Sequence, residues 1–341
     1  MTPTGEKPIR LGIIGAGIFA REQHVPALLA LGEAFEIRAV CSRTPESAAR
    51  LNALLPEPVD AYQHIPALLA RPDIEAVDIV LPIPILPEAV AMALAAGKHV
   101  ISEKPVAPDV ATGRRLLATH AGYPDRVWVV GENYRYEQPL VRTRQIVAEG
   151  VIGRPLLADW IIHVPFTPDN KYYQTDWRRQ GNFPGGPLLD GGVHHIAGWR
   201  FVLGEIVEVS AATAQLRDDL SPADTVSAAF RFQSGAMGSY AVTYAGGAPW
   251  YGPLQIVGEA GAVRMWRDGR VEVTSGGQTR LEQVAGFTGV RDGLAAFAAA
   301  IREGAPHRNP PQEALGDVAV VEAMLQAAAG GRHVVPERVP G

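Results

Sequence analysis

The sequence has little cysteine and no concentration of positive charge. Cys41 is the single cysteine, which excludes an internal disulfide and a zinc site clipped by cysteine pairs. The formal net charge is -5 at pH 7, and the basic residues are scattered along the chain. That pattern is not typical of proteins that bind nucleic acid or an anionic membrane. We therefore expect a cytoplasmic protein with neither of these partners.

Long unbroken hydrophobic runs are also missing. The longest apolar stretch, residues 79–96, contains three prolines and Glu88, which would break a helix crossing a membrane. The polar start, residues 1–8, leads into a run cut by glycines, which does not fit a signal peptide. We expect a soluble protein.

The chain is long enough for two domains, and its patterning changes near the middle. Short β-branched runs alternate with helical stretches up to about residue 131, which is typical of parallel strands joined by crossover helices. Beyond residue 153, closely spaced strand-like runs predict one mixed or antiparallel sheet. We predict a doubly wound parallel sheet over residues 1–132, and an α+β domain with an open, predominantly antiparallel sheet over residues 133–341.

A glycine-rich turn follows the first predicted strand and opens a predicted helix. Gly15, Gly17 and Ala20 fit the pattern GxGxxA, with Ile18 and Phe19 between them. The first glycine allows a tight turn, the second allows close approach of a pyrophosphate, and the alanine allows close packing of helix on strand. This context predicts a bound dinucleotide.

The end of the second predicted strand bears on the choice of dinucleotide. A carboxylate there would bind the ribose 2'-hydroxyl of NAD, but the chain has Ser42 and Arg43. Arginine binds phosphate with its fork of donors, so NADP is favoured over NAD. An Arg43 that only stacks over the adenine would be compatible with either.

Glu103-Lys104-Pro105 directly follows the apolar run at residues 99–102, which contains the predicted strand 99–101. A lysine after a strand of such a sheet points into the crevice where these sheets hold ligands. Its ammonium can therefore stabilise charge on the reacting oxygen of an alcohol or ketone. Glu103 is placed to orient Lys104 or the coenzyme, and a cis Lys104–Pro105 bond would aim the amine.

Asp190 and His194 are four residues apart at the start of a predicted helix, a spacing that puts both side chains on one face if that turn is helical. A carboxylate orients an imidazole and favours its protonated form, which suits a proton shuttle. Alternatively, Asp190 only caps the helix and His194 is a buried polar group. His195 points about 100° away, and we assign it to substrate binding. No third ligand lies nearby in sequence, so we predict no metal.

An aromatic and basic cluster precedes Asp190. Its members are Tyr172, Tyr173, Trp177, Arg178 and Arg179. In a loop, such residues suit a polyhydroxyl ring, whose C–H face lies on aromatic rings while its hydroxyls meet polar donors. An ordinary surface loop packed on its own aromatics is the alternative.

These motifs, in this order, resemble the Gfo/Idh/MocA (glucose-fructose oxidoreductase, inositol dehydrogenase, rhizopine catabolism) family over nearly the whole chain. The resemblance also rests on residues 96–100, on Tyr134-Arg135-Tyr136, and on the glycine-rich stretch 185–194. It implies an amino-terminal Rossmann domain and a carboxyl-terminal open sheet used for dimer or tetramer packing. By position, Lys104, Asp190 and His194 match the family's catalytic residues, and Arg135 is expected at the substrate.

Three departures from the family pattern are visible. Residues 81–86, with Pro82 on the coenzyme side, are more apolar than the family's Thr-Pro-Asn stretch, Pro187 replaces a glycine, and Ala197 replaces an aspartate. The proton-transfer pair is unaffected, whereas we do not expect the substrate contacts of relatives to carry over unchanged.

The function we expect is reversible hydride transfer between nicotinamide C4 and an alcohol, ketone or hemiacetal carbon of a sugar or cyclitol. His194 would exchange the hydroxyl proton, and Lys104 would stabilise the oxyanion. A hydrolase or lyase that uses the coenzyme transiently is an alternative, as is a non-catalytic coenzyme sensor. The presence of all three catalytic residues argues against the sensor.

Overall fold

The computed structural model describes residues 7–181 and 183–339, and these form two compact units. The first unit contains the described residues up to Ala107, together with Ala111–Glu132 and Val290–Gln312. The second contains Pro108–Val110, Asn133–Gly289 and the described chain from Glu313 onward. The sequence prediction has one boundary, after residue 132. In the structure Pro108–Val110 already belong to the second unit, and the chain enters it again at Asn133 and returns to the first for Val290–Gln312.

The first unit is built on a six-stranded sheet with the order β3-β2-β1-β4-β5-β6, and all its strand pairs are parallel. The strands are β1 (Ile9–Ile14), β2 (Phe35–Cys41), β3 (Asp60–Tyr62), β4 (Ala76–Ile79), β5 (His99–Ser102) and β6 (Trp128–Val130). This is the strand order of dinucleotide-binding sheets, in which the order reverses between β1 and β4 and ligands bind beyond the carboxyl ends. The predicted doubly wound sheet is confirmed, with the short edge strand β3 as an addition.

Helices cover this sheet because their apolar faces need burial against its strands. They are α1 (Val25–Ala30), preceded by a π-helical turn at Ala20–His24, then α2 (Pro45–Asn52), α3 (Ile65–Leu69), α4 (Leu86–Ala95) and α5 (Val110–Ala121). The late helix α10 (Gly289–Glu303) also packs here. Its Leu294 and Phe297 are fully buried in the core around β1, and the ring of Phe297 stacks on Phe35 with centroids 6.4 Å apart.

The second unit contains a nine-stranded mixed sheet with the order β15-β14-β13-β12-β7-β10-β9-β8, and β11 pairs with β7. The strands are β7 (Pro155–His163), β8 (Ile206–Ala214), β9 (Thr225–Phe232), β10 (Met237–Thr243), β11 (Trp250–Tyr251), β12 (Leu254–Gly258), β13 (Gly261–Met265), β14 (Arg270–Ser275) and β15 (Gln278–Gln283). Strands β7 and β10 are parallel, and the other neighbours are antiparallel. The predicted open, mostly antiparallel sheet is confirmed.

The described residues of this unit form the α-helices α6 (Gln138–Ala148), α7 (Asp176–Gln180), α8 (Gly186–Asp190), α9 (Gly192–Leu203) and α11 (Pro311–Gly330). Helix α9 packs on the sheet through Trp199, whose ring meets Trp160 of β7 and Phe230 of β9. These large buried rings remove much apolar surface from water and fix α9 on the sheet. None of the described helices is both long and apolar enough to span a membrane.

Candidate active site

The glycine-rich turn after β1 has the geometry that the sequence predicted. Gly15 has φ +106°, its amide donates to the Cys41 carbonyl at 2.8 Å, and a Cβ on it would lie 2.1 Å from the Val80 carbonyl oxygen. Only glycine fits there. A Cβ on Gly17 would have no atom within 4 Å, whereas Ala20 is fully buried where the helix meets the sheet. The turn therefore fits a pyrophosphate at the amino end of a helix.

The neighbouring strand ends carry the other predicted coenzyme residues. The Ser42 amide donates to the Tyr62 carbonyl at 2.9 Å, which continues the pairing of β2 with β3, and Arg43 is exposed beside it. Pro82 follows β4 and is half-buried, and its carbonyl accepts the Leu86 amide at the start of α4. These residues lie at the carboxyl edge of the sheet, where the ligands of such sheets bind.

Lys104 also lies at this edge, two residues after β5 ends. The amide of buried Glu103 donates to the Ile79 carbonyl at 2.9 Å, so the chain is still held to β4 at this point. Lys104 is half-buried, and the Lys104–Pro105 peptide bond is cis. The glycine turn and the lysine thus share one edge, because β1, β4 and β5 are adjacent parallel strands.

A buried histidine that the sequence prediction missed contacts Glu103. The Nδ1 atom of His24 lies 2.8 Å from Asp78 Oδ2, and its Nε2 atom lies 3.0 Å from Glu103 Oε1. Burial alone would lower the pKa of His24, but the two carboxylates, Asp78 foremost, raise it to about 10. The sequence contains one signal of this buried cluster, because Asp78 is a charged residue within the otherwise apolar strand β4.

Asp190 and His194 lie on two helices joined by a single glycine in the second unit. Asp190 ends α8, His194 is in the first turn of α9, and Gly191 between them has right-handed helical angles, φ -98° and ψ -39°. The backbone therefore stays helical across the pair, as its four-residue spacing required. Gly191 occupies the N-cap of α9, so the alternative role of Asp190 as that cap does not apply.

Asp190 and His194 each have a well-defined neighbour within this unit. The Nε atom of Arg178 donates to Asp190 Oδ2 at 2.6 Å. The His194 ring stacks on Tyr134, with centroids 4.8 Å apart and planes inclined by 17°. Charge-assisted pairing and ring stacking both restrict rotamers, so the two side chains are held in position.

The glycines around Asp190 are required by packing within the second unit. A Cβ on Gly191 would lie 2.2 Å from Tyr244 Oη, and one on Gly186 would lie 2.3 Å from the Ser221 carbonyl oxygen. Gly186 also has φ +47°, which favours glycine. Packing within this unit therefore accounts for both glycines.

The aromatic and basic cluster lies beside Asp190. The guanidinium of Arg178 lies 4.1 Å from the Trp177 ring centroid and 5.2 Å from that of Tyr172, while it also holds Asp190. Three of the predicted substrate residues are thus assembled around a predicted catalytic residue. Such cation–π contacts restrict the position of the guanidinium.

The structure encloses the other two predicted substrate residues, His195 and Arg135. His195 is 3% exposed, its Nδ1 lies 2.8 Å from Tyr240 Oη, and burial lowers its pKa well below the usual value. Arg135 is 2% exposed and donates two hydrogen bonds of 2.8 Å to Asp317. Both side chains therefore have the environment of core residues. The proposed function uses neither His195 nor Arg135 as a substrate contact.

Two family models match the chain. The NAD-binding Rossmann fold of the oxidoreductase family matches residues 9–130, and the carboxyl-terminal alpha/beta domain of the same family matches residues 144–336. Together they account for most of the sequence. The chain belongs to the Gfo/Idh/MocA oxidoreductase family, as its motifs suggested.

Individual relatives agree with this assignment. Dehydrogenase FPY6 of Fusarium mangiferae is 34% identical over 94% of this chain and 97% of its own length. A dTDP-3,4-didehydro-2,6-dideoxy-alpha-D-glucose 3-reductase of Actinomadura kijaniata is 36% identical over 64% of this chain and 63% of its own. A solved oxidoreductase structure from Thermotoga maritima is 34% identical, with a TM-score of 0.89 over 96% of this chain and 98% of that one. The protein is a dehydrogenase or reductase with an NAD-binding Rossmann domain.

Proposed function

We propose that the protein transfers hydride between nicotinamide C4 and a secondary alcohol, ketone or hemiacetal carbon of a sugar, cyclitol or related carbohydrate. The observation that carries this proposal is the shared sheet edge of the first unit. There the turn at Gly15 and Gly17 can hold a pyrophosphate, and Lys104 follows a strand only two places away. A dinucleotide on that turn and an ammonium at that edge are the components of hydride transfer to or from an oxygen-bearing carbon.

The nicotinamide coenzyme supplies or accepts the hydride when it is bound, and we propose that three side chains handle proton and charge. In oxidation, His194 accepts the substrate hydroxyl proton on a ring nitrogen while the Lys104 ammonium stabilises charge on that oxygen. Asp190, held by Arg178 at 2.6 Å, lies one helical turn before His194 and would orient its ring. In reduction, His194 donates the proton instead.

The carbohydrate class is supported by the cluster of Tyr172, Trp177 and Arg178. Two aromatic rings suit the C–H face of a sugar, and a guanidinium already oriented by Asp190 can donate to ring hydroxyls. The sugar-nucleotide reductase among the relatives is consistent with the same class. A panel of sugars, polyols and their keto forms, tested with both coenzymes, identifies the substrate.

Stoichiometry is the test of this function. With the best substrate of the panel, we expect one nicotinamide to be reduced or oxidised for each product molecule, measured by absorbance of the reduced coenzyme beside chromatography of the product. Product released by catalytic amounts of coenzyme, without a net absorbance change, would contradict the proposal and assign the chain to the hydrolase or lyase alternative.

We further propose that NADP is the preferred coenzyme, because the end of β2 has Ser42 and exposed Arg43 and no carboxylate. Arg43→Ala should weaken NADPH binding about tenfold or more and leave NADH binding within about twofold, since only NADPH carries a 2'-phosphate. Fluorescence titration of both reduced coenzymes measures this change. Stronger binding of NADH than of NADPH by the unaltered protein would refute the assignment.

We also propose a homo-oligomer that forms through the outer face of the second unit's sheet. Met237, Leu157 and Val257 are paired neighbours on β10, β7 and β12, and they are 49%, 51% and 37% exposed. Apolar residues that line up across strands on a solvent face are typical of an interface. Leu157→Lys should reduce the mass measured by light scattering to that of a smaller assembly, and an unchanged mass would contradict the proposal.

A further inference from the structure

The first unit contains a buried cluster of three titratable side chains that the proposed mechanism does not use directly. His24, Asp78 and Glu103 are 2%, 0% and 7% exposed. His24 ends the π-helical turn after the glycine-rich segment, Asp78 is in β4, and Glu103 follows β5. Charged groups buried this deeply are costly unless they are paired, so the cluster needs an explanation.

The geometry favours a doubly protonated His24. Each of its ring nitrogens faces a carboxylate oxygen, at 2.8 Å for Asp78 and 3.0 Å for Glu103. A neutral imidazole has one donor and one acceptor, and an acceptor nitrogen would face one of these oxygens with repulsion. An imidazolium donates to both, which agrees with a pKa raised to about 10.

Glu103 is fixed from several sides. Its Oε1 faces His24, its amide donates to the Ile79 carbonyl at 2.9 Å, and a Cβ on Gly131 would lie 3.0 Å from Oε1. Because Gly131 has no side chain, the Glu103 carboxylate fits at this position. Lys104 is the next residue, so whatever orients Glu103 also orients the backbone from which the lysine projects.

We propose that His24 is a positioning residue for Lys104: its imidazolium bridges Asp78 and Glu103 and thereby fixes the backbone that carries the lysine amine. The helix that follows the coenzyme-binding turn is tied by the same contact to the segment that carries the amine. This inference rests on the proposed function, because that function gives Lys104 its role. Without the imidazolium, both buried carboxylates lose a charged donor and Glu103 is no longer tied to Asp78.

The test compares His24→Gln with a matched control, His99→Gln. Glutamine at position 24 can donate to one carboxylate but not bridge two. His99 is also a histidine of this unit, but it lies at the opposite end of β5, where its Nδ1 accepts the Val127 amide at 3.0 Å. We expect His24→Gln to lower kcat about tenfold to a hundredfold, because misplacing a catalytic group by about 1 Å has an effect of that size.

Two readouts separate positioning from general destabilisation. The Kd for reduced coenzyme, measured by fluorescence, should stay within about threefold, and kcat of His99→Gln should stay within about twofold. Crystal structures of the unaltered protein and of His24→Gln should show Glu103 displaced and the Lys104 amine moved by about 1 Å or more. Unchanged kcat together with an unmoved lysine would overturn the proposal.

Two further outcomes are distinguishable. If Lys104→Met itself turns over normally, the proposed function fails, whereas displacement of the lysine in His24→Gln still tests the positioning role. If His24→Gln does not fold, Asp78→Asn replaces it, because this change removes one charge at nearly constant volume and weakens the hold on His24. Wild-type kcat and an unmoved lysine in Asp78→Asn would then overturn the proposal.

Discussion

Replacing Gly191 by alanine should destabilise the second unit. A Cβ at this position would lie 2.2 Å from Tyr244 Oη and 2.8 Å from Tyr244 Cζ, and the ring is buried. The backbone angles of Gly191 suit alanine, so the cost is steric. Overpacking of this kind costs about 1–3 kcal/mol, and loss of glycine entropy in the unfolded chain offsets about 0.4–1 kcal/mol. We expect a net loss of about 1–2 kcal/mol.

Gly192 provides a matched control. A Cβ there would meet its nearest atom, Tyr240 Oη, at 3.6 Å, which is ordinary van der Waals contact. Gly192→Ala should therefore be neutral or stabilising by up to about 1 kcal/mol, since alanine favours a helix over glycine. Tyr244→Phe is the companion variant, because among the described residues Tyr244 Oη is buried without a hydrogen-bond partner. Removing it should cost little alone and should recover part of the loss in Gly191→Ala.

Urea and thermal unfolding of the three variants and the double variant measure these differences. For a unit of this size, 1 kcal/mol corresponds to about 2–4 °C in Tm, so Gly191→Ala should melt about 2–8 °C below the unaltered protein. Activity should fall as well, because Asp190 adjoins the displaced turn. Equal stability of Gly191→Ala and Gly192→Ala would refute the packing argument.

Three further predictions, on two substitutions and one pH dependence, concern other parts of the structure. Arg135→Leu should cost about 1–3 kcal/mol in urea unfolding, because buried Asp317 loses both hydrogen bonds from Arg135 but stays paired with Arg200, while KM stays unchanged; a raised KM with normal stability would restore Arg135 to the substrate site. Because folding raises the pKa of His24 from 6.5 to about 10, its stabilisation is complete below pH 6.5 and is lost as the pH rises toward 10. Urea midpoints should therefore decline over that window in the unaltered protein and not in His24→Gln, and parallel profiles would contradict this. Arg178→Ala should raise KM about tenfold by releasing Asp190 and a donor, and an unchanged KM in initial-rate assays would exclude that role.

The sequence predicted those parts of the fold that have a strong local signal. The turn from Gly15 to Ala20 was recognisable because its strand, glycines and helix are contiguous. Strands β3 and β11 and helices α7 and α8 have five residues or fewer, too few for hydrophobic periodicity to show. The edge strand β15 is mostly exposed, so it lacks the alternation that marks a half-buried strand.

The candidate site was predictable only in part, for a related reason. Asp190 and His194 are close in sequence, so their spacing was informative. His24 is 54 residues from Asp78 and 79 residues from Glu103, and only the folded sheet brings them together. The core positions of His195 and Arg135 depend in the same way on distant partners in β10 and α11, which no local pattern reveals.

The central claim is that Lys104 stabilises charge on the reacting oxygen, and one measurement tests it most directly. Lys104→Met is mixed with saturating reduced coenzyme and the best keto substrate in a single turnover, and oxidation of the nicotinamide is followed by stopped-flow absorbance. We expect the hydride-transfer rate constant to fall by about a hundredfold or more, while the Kd for coenzyme remains within about threefold. A rate constant equal to that of the unaltered protein, with coenzyme bound normally, would contradict it.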